Sequence, residues 1–118
     1  MTRTPRLERL SQLAGLLRER DLAALAAARA RTATARARLG VLDTAVADAR
    51  SLASQSADIF DIARAGAFEG ALRDRIHRAR EGLAQAEAQE RAILSQAARA
   101  FGRGRAIDAL GERGRSGK

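Results

Sequence analysis

Cysteine, tryptophan and tyrosine are all missing from this chain of 118 residues. Without cysteine there are no disulfides, thiolate metal sites or cysteine nucleophiles, and the redox compartment is left unencoded. Three Phe are the only aromatics, too few to form a stacking platform for bases. Proline occurs once, at Pro5, and glycine is absent between Gly15 and Gly40, so the strongest helix breakers avoid most of the first half. Long apolar runs are also missing. None approaches the ~18 residues that a bilayer span requires. The first 20 residues carry five Arg and no long uninterrupted apolar stretch, so a secretory leader is not expected and the chain is placed in the cytoplasm.

What is present is mostly alanine and arginine. Alanine supplies 29 residues, whereas Leu, Ile, Val and Phe together supply 24, so any core is thin. The 22 basic side chains outnumber the 14 acidic ones, for a formal charge of +8. That excess favours acidic partners.

Thr4 before Pro5 fits an N-cap with proline in the first helical position, and Glu8 adds an acidic side chain to the first turn. From there Leu7, Leu10, Ala14, Leu17, Asp21, Leu25, Ala28, Thr32, Ala35, Leu39, Leu42, Val46 and Ala49 recur at spacings of three and four. That is the seam of a coiled coil, with a stutter at Leu17, Asp21 and Leu25. Leu72, Ile76, Ala79, Leu83, Ala86, Glu90, Ile93, Ala97 and Ala100 form a second seam, and Glu69 stands where that seam would extend upstream. The polar segment 51–58, SLASQSAD, separates the two. The predicted fold is therefore all-α, one antiparallel coiled-coil hairpin. Helix one covers about residues 4–53, the turn 54–58, helix two 59–110, and a frayed basic tail 111–118. A second candidate corner lies at 65–70, where Gly66 and Gly70 bracket Phe68. Ile107 and Leu110 are expected to face Leu7 and Leu10.

Catalysis, metal binding and cofactor binding find no support in the pattern. His77, the single histidine, sits among Arg73, Arg75, Arg78 and Arg80 and is expected on the helix surface. Asp58 with Asp61, and Glu87 with Glu90, fit caps or solvated faces better than an acid–base pair, because a two-helix rod offers no cleft to desolvate them. Gly102-Arg103-Gly104 lacks the third glycine and the preceding strand of a dinucleotide fingerprint. The Arg clusters at 29–38 and 73–80 leave an alternative open: a basic coiled coil that binds nucleic acid without sequence preference. Acidic residues interleaved along both arms argue against it.

The order of features resembles the FliJ family of flagellar type III export proteins and their injectisome counterparts. The similarity rests on Phe68 four residues before Leu72, the heptads through Ile93, the basic segment Arg99 to Arg105, and the closing Ile107, Leu110 and Arg113. The resemblance implies a non-enzymatic central stalk or adaptor of a hexameric export ATPase. It would link that ring to a membrane-embedded export gate, escort export chaperones, and reach the membrane only through these partners. It places Leu7, Leu10, Leu17, Arg99, Arg103, Arg105, Ile107 and Leu110 against the ATPase, and Leu42, Val46, Phe68 and Leu72 near the export gate. Phe68 either faces that partner or folds inward to plug the hairpin tip.

Overall fold

A computed structural model describes residues 4–116. Two helices account for nearly all of them: α1, Pro5–Gln55, and α2, Ile59–Ser116, with no strand among the described residues. The chain is an all-α antiparallel coiled-coil hairpin.

Local chemistry explains where the helices start and stop. Thr4 caps α1: the Leu7 amide donates to Thr4 Oγ1 at 3.1 Å and the Glu8 amide to the Thr4 carbonyl at 3.0 Å, satisfying donors that a helix start leaves orphaned. At the other end of α1, the Ser54 hydroxyl donates to the Ser51 carbonyl at 2.8 Å. Residues 56–58 form the turn. Asp58 then caps α2, accepting the Phe60 amide on Oδ1 at 2.9 Å, while the Asp58 amide donates to Ser56 Oγ at 3.2 Å. The turn is held by its own serine and aspartate. Nothing remains to be turned at 65–70, where α2 runs unbroken through Gly66 and Gly70.

The hairpin divides into two compact units. The turn unit spans Ala30–Ala88. Its core is Val46, Leu72 and Ile76, with Leu39, Leu42 and Ala45 packed against it. Thr32 and Ala49 are also buried on the α1 seam. Arg36 reaches Glu87 at 3.5 Å, and Arg50 pairs with Glu69. Partners therefore fall in number along α2 as they rise along α1, which sets the antiparallel register.

The terminal unit joins Met1–Arg29 to Gln89–Lys118. Leu25, Ala28, Ala97 and Ala100 are buried there, and Leu7, Ala14, Leu17, Asp21, Glu90, Ile93 and Ile107 are half-buried. Ser11 donates to Asp108 at 3.2 Å, and the Arg18 guanidinium lies 5.3 Å from the centre of the Phe101 ring, within cation–π range. Asp21 meets its neighbour Arg20 at 3.6 Å rather than an arginine across the seam.

Two expectations about this unit are corrected. First, α2 does not stop near 110 but stays helical to Ser116, while residues 117 and 118 of the expected tail 111–118 lie outside the described residues. Its seam extends past Ala100 through Gly104, Ile107 and Gly111, with both glycines buried, and no described glycine has a positive φ. Packing against α1 outweighs poor local propensity there. Second, Leu10 and Leu110 do not bury one another; both stay exposed. The spacing of three and four places Gly111 on the seam and leaves Leu110 beside it, exposed. Leu10 is exposed as well, on the rim of a groove that it shares with Arg103 and Ile107.

Much of the buried seam is alanine or glycine, so adhesion falls on a few larger side chains. Leu72, 4% exposed, sits at the centre of the turn-unit core, and Leu72→Ala is expected to cost about 2–3 kcal/mol in urea unfolding. Gly104→Ala should do the reverse. A Cβ at Gly104 meets nothing within 4 Å, so the variant is expected to gain about 0.5–1 kcal/mol from reduced unfolded-state entropy.

Candidate functional site

The side chains left outside the seams form two separate surfaces, one in each unit. In the turn unit, the Asp58 cap launches α2 with Ile59 and Phe60 in its first turn. Both are more than 70% exposed, and Leu52, Ile62 and Phe68 are exposed with them. Phe68 is 56% exposed, so it faces solvent and does not plug the tip. It borders a shallow groove of about 390 Å3 lined also by Ala45, Asp48, Ala49, Leu52, Arg64 and Ala65. Between Arg50 and Arg64 the chain carries no basic side chain, only the acidic Asp58 and Asp61. The tip is therefore apolar and mildly acidic within a basic protein.

The four residues that the resemblance assigns to this region are not brought together on one surface. Val46 and Leu72 are buried in the core, and Leu42 is half-buried against them. Phe68 alone among the four is exposed. Other exposed apolar residues of this unit are Leu52, Ile59 and Phe60, which the seam pattern passes over. Their signal lay in the cap: residues directly after an N-cap next to a tight turn have no facing helix to cover them.

Beside the core lies a second groove of about 430 Å3, bounded by Asp43, Arg50, Arg73, His77 and Arg80 over Val46 and Ile76. Glu69 organises its charged rim. It stands on the second seam three residues before Leu72, where the spacing calls for an apolar side chain. Instead its carboxylate accepts from Arg50 on α1 and from Arg73 on its own helix, the latter at 3.1 Å. The hydrogen bond from Arg50 is the main reason that the Glu69 carboxyl is held below its ordinary value of 4.5; desolvation opposes it, and the charges of Arg50 and Arg73 add to it. His77 is exposed and lies 3.1 Å from Glu81, one helical turn on.

In the terminal unit the residues assigned to an ATPase divide by depth. Arg99, Arg103, Arg105, Leu10 and Leu110 are exposed, whereas Leu7, Leu17 and Ile107 are half-buried. Leu10, Leu13, Ala14, Leu17, Ala100, Arg103 and Ile107 line a groove of about 130 Å3. Leu13 and Leu16, exposed on α1, are further apolar residues that the seam does not include. By sequence this unit holds 13 basic against 6 acidic side chains, a formal +7, while the turn unit holds 9 against 8, a formal +1. Nearly all of the net charge thus belongs to one unit.

The class that this arrangement defines is an antiparallel two-helix hairpin with an exposed apolar surface on each unit. Set against protein-family models, curated proteins and solved structures, the chain matches none. Among the described residues, no helix is long and apolar enough to cross a membrane.

The Glu69 pairing makes stability depend on acid. A carboxyl depressed in the folded state contributes stability above its unfolded pKa, and that contribution disappears as pH falls through the folded value. Melting temperatures of the native chain and Glu69→Gln should therefore differ at neutral pH and converge as pH falls below 4.5 and through the lowered folded value. Phe68→Ala, by contrast, removes a side chain more than half in water and should change stability by less than about 1 kcal/mol.

Proposed function

We propose that the chain is a non-enzymatic stalk or adaptor of a type III protein-export ATPase, with the terminal unit against the ATPase hexamer, the turn unit toward the export gate, and export chaperones as further partners. The observation that carries this reading is the separation of surface chemistry: a +7 unit with exposed Leu10, Leu13 and Leu16, and a nearly neutral unit with exposed Ile59, Phe60 and Phe68. Two surfaces of different charge suit two different partners. Large exposed apolar side chains are costly to keep in water and mark contact surfaces. The grooves are open and shallow, and the acidic side chains Glu69, Glu81 and Glu87 are each paired with a basic residue, which supports binding over chemistry.

The +7 charge of the terminal unit also favours a second reading, a coiled coil that binds nucleic acid without sequence preference. One variant separates the two. Arg99, Arg103 and Arg105 are exposed, so replacing all three with Glu should leave helicity intact. In the stalk reading the triple variant loses stimulation of the export ATPase, measured as phosphate release. Duplex DNA binding at physiological salt, without any effect of the chain on that ATPase, would establish the second reading instead.

A further inference from the structure

The terminal unit carries a second stripe that its own packing does not use. Arg6, Arg9, Leu13, Leu16 and Arg20 follow one another at spacings alternating between three and four, and all five are exposed. The period is that of the seam, so they line one flank of α1. Beside them Leu10, Leu13 and Leu17 meet Arg103 and Ile107 across a groove of about 130 Å3. The stripe contains no carboxylate. Glu8 and Glu19 lie on α1 outside it, and Asp21 lies half-buried in the seam, paired with Arg20 at 3.6 Å.

We infer that this flank takes an acidic amphipathic helix of a partner protein, laid in the groove between α1 and α2 to complete a three-helix bundle. The partner's apolar residues would rest on Leu10, Leu13 and Leu16, and its carboxylates on Arg6, Arg9 and Arg103. A groove between two helices accepts a rod, and apolar anchors repeated every three or four residues are what an amphipathic helix offers. Charge selects the sign of that helix. A second copy of the chain would bring one +7 unit against another, whereas a helix flanked by Asp and Glu neutralises the rim. Phosphates gain nothing from the leucines at the middle of the stripe.

This inference deepens the adaptor reading and rests on it, yet the two fail separately, because ATPase stimulation is not its readout. The probe is a synthetic, fluorescently labelled three-heptad peptide with Leu on its seam and Glu on both flanks, titrated with the full chain and followed by anisotropy at physiological salt. Saturable binding is expected, weakened at least ~tenfold by Leu13→Ser with Leu16→Ser, whose side chains are exposed and whose loss should not alter the melting temperature. If that pair unfolds the helix, Arg6→Glu with Arg9→Glu serves in its place and should weaken binding as much. The inference is overturned if the acidic peptide does not bind, or if a peptide with Lys for Glu binds equally. Equal binding of a Glu peptide whose leucines are serine would overturn it too, since charge alone would then suffice. So would leucine-dependent binding of phosphatidylglycerol vesicles, or leucine-dependent self-association in sedimentation, without binding of the peptide.

Discussion

The structure depends on one contact, the meeting of two narrow apolar stripes along an antiparallel pair of helices. Each helix is polar over most of its circumference, and each stripe is too rich in alanine to be buried by anything bulky. Small side chains let the backbones approach closely but remove little area from water. Cohesion is therefore uneven. In the turn unit it concentrates in Val46, Leu72 and Ile76, and in the terminal unit it is shared by Leu25 with several alanines and two glycines.

Polar contacts supply what a thin seam cannot, namely register. A slide of one helix along the other would exchange alanine for alanine at little cost. The pairing of Glu69 with Arg50, Arg36 with Glu87, Ser11 with Asp108 and Arg18 with Phe101 fails on any such slide. Exposed pairs of this kind add little stability each, but a difference in pairing between registers is enough to choose among them.

The same thinness leaves material for the surface. Leucines and phenylalanines beyond those the seam can use remain in water, on the flank of α1 in the terminal unit and around the cap of α2 in the turn unit. The charge divides along the same line, which gives each unit a distinct surface to offer a partner.

Much of this was legible in the order of residues. The spacing of three and four found both seams, because helical periodicity depends on neighbours along the chain. Nearly every residue it selected, from Leu25 and Ala28 to Ala97 and Ala100, is buried or half-buried, and Thr4 caps α1 as its type and place imply. Tertiary packing decided the rest. It kept α2 helical past Gly104 and Gly111, where local propensity alone predicts fraying, and it left Leu10 and Leu110 in water. It also drew Val46 and Leu72 inward while Phe68 stayed outside. Periodicity tells which side of a helix is apolar, but whether a given apolar side chain is covered depends on what the opposite helix presents at that level, and that is set only when the two helices meet.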